Sequence, residues 1–275
     1  MRWLAIVALA IGACGGAASK VPVLVGTTTT TQDTGLLDVL GADFAKHTGF
    51  AAKFVVAGSG QTIATAGRGD VDVILVHSPD DELSFMSSGA GIDRRLVMHN
   101  DFVLLGPTDD PAKIRGMAAI DAFRAIAAAG ATFVSRGDRS GTNLKELSLW
   151  KAAGVNDPSA NAQYTQSAAG QLATLQLALK KHAYVFADRG TWLANQKTLA
   201  GLVVLVEGGK ELLNVYHVIR VNPARFPKVN DAGAKAFADY LTGSAGQQLI
   251  ASFGADRFGA PLFTADAGAS EADLR

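Results

Sequence analysis

The sequence predicts an α/β protein. Short β-branched runs alternate with helical stripes, apolar residues are numerous enough for a large core, and polar, glycine-containing segments stand between strands and helices. Hydrophobic residues make up 48% of the 275 and charged residues 18%, a balance that suits one large or two ordinary domains and argues against disorder. Because strands and helices alternate, the sheets are expected to be mainly parallel.

The chain begins Met1-Arg2-Trp3, continues with an apolar run over residues 4–11, and reaches Cys14 through small residues. Residues 1–14 therefore read as an export signal, too short to remain across a bilayer. Ile11-Gly12-Ala13-Cys14 resembles a bacterial lipobox, with Ile in place of the usual Leu, so Cys14 is expected to be lipidated and to become the new N-terminus. Cleavage after Ala13 with Cys14 incidental is the alternative. Cys14 is the only cysteine, which excludes an internal disulfide and a thiolate metal cluster.

Beyond a small-residue spacer, candidate strands fall at residues 23–25, 54–56, 71–76, 102–105, 132–134, 184–186, 202–206 and 216–221. Leu36, Leu40 and Phe44 recur at helical spacing, as do Leu144 with Leu147, and Leu172, Leu175 and Leu179; these stripes read as core faces. Ala234, Phe237, Ala238 and Leu241 mark an amphipathic helix, and Ser244 with Gln247 reads as the capping box of another. Helix is expected to end near Phe253, with residues 265–275 as a frayed tail.

Charge excludes some partners. The 25 basic and 25 acidic residues form no long one-sign run, so neither nucleic acid nor an anionic membrane surface is an expected partner. His47, His77, His99, His182 and His217 show no metal-ligand spacing, and no cofactor is expected. Asp80-Asp81 and Asp109-Asp110 lie beside prolines and read as turn or helix-start residues rather than catalytic pairs.

Polar donors concentrate at three strand-to-helix junctions. The first carries five consecutive threonines, residues 27–31, followed by Gln32-Asp33-Thr34-Gly35. Threonines are poor helix formers, so the run is expected in the turn, where hydroxyls and the unpaired N–H groups of the next helix can hold an anion without lysine. Simple N-capping by one threonine is the bland alternative. The second junction, Ala57-Gly58-Ser59-Gly60-Gln61-Thr62, combines glycines that permit close approach with the Ser59 hydroxyl. The third, Ser135-Arg136-Gly137-Asp138-Arg139-Ser140-Gly141-Thr142, adds a guanidinium able to make parallel charge-assisted bonds to an oxyanion. Asp138 is expected to orient Arg136 or cap the following helix; a surface ion pair between the two is the alternative reading. In open parallel sheets such junctions converge beyond the strand ends.

The pattern Arg136, Asp138, Ser140, Gly141, Thr142 resembles the anion loop of phosphate-binding transport proteins. A fuller set is similar to the tungstate-specific TupA family of ABC-transporter solute-binding proteins: residues 27–30, Gln32-Asp33-Thr34-Gly35-Leu36-Leu37, Gly69-Asp70-Val71-Asp72-Val73, Val76-His77-Ser78-Pro79, Asn100-Asp101-Phe102-Val103, Ser135-Arg136-Gly137-Asp138 and Asp188-Arg189-Gly190-Thr191. Thr30 stands where that family usually has serine, a change that keeps the hydroxyl and bears on selectivity. Arg139 stands where an acidic residue is common and alters the local field.

The resemblance implies a type II periplasmic-binding-protein fold of two α/β domains joined by two crossovers, around residues 102–106 and 214–218. Domain I would comprise residues 20–102 and 217–275, and domain II residues 103–216. It implies an oxyanion held by Thr28, Thr29 and Ser59 from the first domain and Arg136, Ser140, Gly141 and Thr142 from the second, with Thr27, Thr30 and Gly170 as a lesser set. Tungstate is the favoured ligand; molybdate, phosphate and sulfate are same-fold alternatives, and a phosphate-ester hydrolase or a ligand sensor are the rival classes. The expected protein is a non-catalytic monomer in the periplasm or on the outer face of the membrane, held there only through Cys14 and delivering its ion to an ABC permease.

Overall fold

The computed structural model describes residues 22–274; the expected export signal and Cys14 lie outside the described residues. The chain opens with β1 (Val23–Thr28), α1 (Thr29–Asp33), α2 (Leu36–Thr48), β2 (Ala52–Ala57), α3 (Ser59–Ala66), β3 (Val73–Val76) and α4 (Pro79–Ser87). β1 runs parallel to both β2 and β3. The α2 stripe of Leu36, Leu40 and Phe44 is fully buried against Phe237, Ala238 and Leu241, as its spacing predicts.

β4 (Gly91–Pro107) then serves two sheets in succession. Its first part, from Gly91 to Asp101, pairs antiparallel with β9 (Leu213–Val221). Its second part, from Phe102 onward, pairs with β7 (Tyr184–Asp188) and β8 (Leu202–Val206). Between them lie α5 (Ala119–Ala129), β5 (Phe133–Ser135), α6 (Gly141–Ala152), β6 (Tyr164–Gln166), α7 (Gln171–Lys181) and α8 (Arg189–Asn195). β5 is parallel to β6 and β7. The C-terminal segment adds α9 (Asp231–Thr242), α10 (Ser244–Ser252), α11 (Ala255–Phe258) and β10 (Thr264–Ala265). The strand path is β2-β1-β3-β9-β4-β7-β5-β6, with β8 and β10 beside β4. Separate apolar clusters fill the two halves, one around Phe44, Tyr216 and Phe237 and another around Phe123, Phe133 and Trp150.

Several expectations are corrected. The sheets are mixed rather than mainly parallel, because β4 and β9 carry the chain between halves and every pairing they make is antiparallel. Residues 214–218 pair with β4 in the first half, so the return passage comes earlier, through the 3-10 turn Lys210–Leu212. Thr29, Thr30 and Thr31 form α1 instead of an open turn, since tertiary burial of Thr30 and Thr31 overrides their low helix propensity. On α6, Leu147 is exposed and the buried face is Asn143, Glu146, Leu149 and Trp150. Ser244 is the first residue of α10, not its cap, and the Gln247 amide donates to the carbonyls of Val97 and Leu241. The C-terminal tail is held by strand pairing, by His99 against Asp266 at 2.7 Å, and by Arg94 donating twice to Glu271.

Candidate functional site

All three donor-rich junctions lie where the halves meet. β1 delivers Thr28 to the start of α1, β2 delivers Gly58 and Ser59 to the start of α3, and β5 leads through residues 136–140 into α6. A fourth helix start, α7 with Gly170 as its N-cap, joins them: a Cβ on Gly170 would stand 4.0 Å from the Thr29 methyl. Across the cleft, Arg136 Nη2 donates to Thr29 Oγ1 at 3.3 Å, and Ser140 approaches to 3.5 Å of where a Cβ on Gly58 would be.

The Arg136 loop is rigidly built. Gly137 has φ +65°, and a Cβ there would meet the Gln166 side chain at 2.7 Å, so both backbone and space require glycine. Asp138 orients Arg136 rather than capping the helix: Oδ2 accepts from Arg136 Nη2 at 2.5 Å, and Oδ1 accepts the N–H of Ser140 at 3.1 Å. Ser140 caps α6 by accepting the Asn143 N–H at 3.2 Å. Beneath the loop, Glu146 accepts from Ser135, Tyr164 and Trp150 and fastens α6 to β5 and β6. Burial pushes its carboxyl up to about 7.

Buried polar atoms almost always find partners. Here four side-chain donors do not: Thr28 Oγ1, Ser59 Oγ, Arg136 Nε and Thr142 Oγ1 are buried without a hydrogen bond. Their residues are at most 2% exposed. Two come from each half; Thr28, Ser59 and Thr142 stand at or beside helix starts, and Arg136 directly follows β5. Such an arrangement can surround an anion with hydroxyl, guanidinium and backbone N–H donors.

The remaining sequence-predicted residues are placed differently. Thr29 is half-buried and accepts from Arg136, while Gly141 opens α6 and is buried. The Thr27 hydroxyl is committed to the Leu75 carbonyl and to Thr31, holding β1 against β3. Thr30 donates to Asp188 Oδ2 at 3.4 Å. Sequence reasoning missed Gln171, which begins α7, is fully buried and leaves Oε1 unpartnered; its signal was its place directly after Gly170.

The electrostatics are unusual for an anion site. Asp188 is fully buried, accepting from the Thr191 N–H and hydroxyl, and burial raises its pKa. Asp33 on α1 accepts from the Leu172 backbone and is pushed up to about 6, first by burial and then by Asp188. His77 is pushed down to about 3 by burial and by Arg136, so its imidazole is neutral. An open cavity of about 780 Å³ lies alongside: it shares His77 and Gly141 with the cluster but reaches none of the four unpartnered donors, and its walls include Phe102, Leu144 and Leu213.

Comparison with known proteins identifies the family. The PBP superfamily domain matches residues 15–245. The tungstate-binding protein TupA of Peptoclostridium acidaminophilum is 40% identical over 278 residues, covering 96% of each chain. Among solved structures, the tungstate-binding protein TupA from Desulfovibrio alaskensis G20 is similar with a TM-score of 0.77 and 41% identity, covering 90% of this chain and 100% of its own. The tungstate ABC transporter structure from Geobacter sulfurreducens gives a TM-score of 0.77 at 40% identity, covering 84% and 98%. The type II periplasmic-binding-protein architecture expected from the sequence is the one present, and the chain belongs to the PBP superfamily and, within it, to the TupA family of ABC-transporter solute-binding proteins.

Proposed function

We propose that this protein captures tungstate, a tetrahedral oxyanion, between its two halves outside the cytoplasm and delivers it to an ABC-transporter permease. The observation that carries the ligand class is the set of four buried, unpartnered donors, Thr28, Ser59, Arg136 and Thr142, contributed equally by both halves. A buried donor without a partner costs roughly 1–3 kcal/mol, and an enclosed oxyanion would satisfy all four. Ser140, through its free hydroxyl proton, Thr29, and the backbone of Gly141 and Gly170 complete the proposed shell. Thr27 and Thr30 support it from behind.

In this reading residues 20–102 and the segment from β9 onward form one domain and the residues between them the other, the boundary expected at residue 217 moving back to the start of β9, and the two close on the ion by a hinge through β4 and the return passage. The identity of tungstate rests on the relatives, because the donor set would also accept molybdate, sulfate or phosphate. The cluster has no activated nucleophile, which favours a binder over a hydrolase. The proposed protein is a monomer anchored through lipid on Cys14. Calorimetric titration of the mature protein with tungstate, molybdate, sulfate and phosphate in one buffer tests the proposal. Tungstate should bind more tightly than sulfate and phosphate; tighter binding of either rejects the ligand, and no binding of any rejects the function.

A further inference from the structure

The two halves meet hardest at the first residue of α6. A Cβ on Gly141 would stand 2.8 Å from Cε1, Nδ1 and the carbonyl oxygen of His77. Real side chains do not pack that closely, so one methyl group here must displace something. The other facing glycines are looser: a Cβ on Gly58 meets Ser140 at 3.5 Å, and one on Gly60 meets the Arg139 carbonyl at 3.5 Å.

His77 is backed by aromatic side chains on one side and borders the open cavity on another. It follows β3, is 5% exposed, and its ring lies 4.7 Å from Tyr216 and 6.5 Å from Phe102. Those two residues belong to β9 and β4, the strands at the passage between halves. Nor does Gly141 need glycine for local reasons. Its φ is not positive, and alanine is the better helix former.

We propose that the contact between Gly141 and His77 is the stop that sets how far the two halves close on the anion, so that a bare Cα at position 141 is a condition of binding. This rests on the oxyanion-binding function proposed above. The neutral state of His77 fits the role, because no charge builds up at the point of contact.

Gly141→Ala in the mature chain tests the stop, since alanine keeps the backbone N–H and removes no donor. The free protein should melt at the same temperature or lower, because the contact is already made in the ligand-free structure and only opening of the halves relieves it. Tungstate affinity should fall about ten-fold or more, as expected for a methyl forced into a closed contact, and the compaction seen by small-angle scattering on adding tungstate should shrink. Gly60→Ala should leave affinity and compaction near wild type. In the double variant His77→Ala/Gly141→Ala, two of the three close atoms are gone, and part of the lost affinity should return; that comparison holds even if the single variant folds poorly. Wild-type affinity with full compaction in Gly141→Ala would overturn the stop, as would a double variant no better than the single. If the wild type itself fails to bind tungstate, the functional proposal falls instead.

Discussion

Ser59→Ala should move stability and affinity in opposite directions. The Ser59 hydroxyl is 0% exposed and has no partner, so in the closed free protein it is a buried donor that gains nothing from being there. Such a group costs roughly 1–3 kcal/mol, less whatever hydration it regains when the halves open. Removing it should leave the fold unchanged or stabilise it by up to about 1 kcal/mol, a rise in melting temperature of at most about 2–4 °C for a chain of this size. Alanine at the first position of α3 is also well tolerated by the helix. Binding should suffer, because a hydroxyl-to-anion bond is worth about 1.5–3 kcal/mol, equivalent to a loss of roughly ten- to 150-fold. Thr142→Val, isosteric and equally orphaned, should show the same pair of signs. The assays are thermal melting of the free protein and calorimetry with tungstate. A variant that melts lower while binding normally would show the hydroxyl to be structural, and the site would have to be rebuilt without it.

Arg136→Ala should cost about 2–5 kcal/mol of binding, roughly 30- to 5,000-fold, with Arg136→Lys intermediate and the exposed Arg139→Ala near wild type by the same titration; the reverse order would reject the register of this loop. Asp33 binds its proton more readily in the folded chain than in the unfolded one, so its contribution to stability declines as pH rises from about 4 to about 6 and is then constant. Asp33→Asn, which keeps an acceptor for the Leu172 N–H, should therefore melt higher than wild type above pH 6 and lose that advantage near pH 4 in melts across the range. Cys14→Ser should release the protein from the membrane fraction of its bacterial host without changing tungstate affinity; unchanged fractionation rejects the anchor.

The parts legible in the sequence are those whose signals are local. The strands leading into α1, α3 and α6 are short apolar runs, and the junctions after them carry glycine and hydroxyl residues whose side chains serve either as caps or as donors. Ser59, Arg136 and Thr142 carry a donor signal in residue type and place, whereas Thr28 is picked out of five threonines only by the family resemblance. The first part of β4 was hidden because it reads as charged: Asp93, Arg94 and Arg95 look like a loop. In the fold Arg95 is paired with its neighbour Asp93 and with Asp239, and Arg94 with Glu82 and Glu271, of which Asp239 and Glu271 lie far along the chain. The tail was misread for the same reason, since what orders it is Arg94 and His99 on β4. Periodicity also misled on α6, where a buried glutamate and asparagine replace the leucines that would mark the core face. Asp33 and Asp188 carried no sequence signal of burial because their partners are backbone groups and hydroxyls on other elements.

Those two aspartates change how the site has to work. Arg136 is opposed by Asp138 at 2.5 Å, and Asp33 and Asp188 stand close enough to feel its charge. The cluster therefore offers a dianion no excess of formal positive charge. What remains is the set of oriented neutral donors, hydroxyls and helix-start N–H groups, which neither titrate nor move when the halves meet. A ring of neutral donors at fixed spacing discriminates chiefly by size, and the Gly141 contact with His77 is what would fix the spacing. It also discriminates by protonation. Phosphate near neutral pH carries a proton and needs an acceptor, whereas tungstate carries none and needs only donors. The nearby carboxylate on the loop, Asp138, already accepts from Arg136 through one oxygen and from the Ser140 N–H through the other. In the reading proposed above, a phosphate proton would compete with those two bonds for the lone pairs of Asp138, so the loop that resembles a phosphate site should favour the unprotonated anion, and tighter binding of phosphate than of tungstate would reject this.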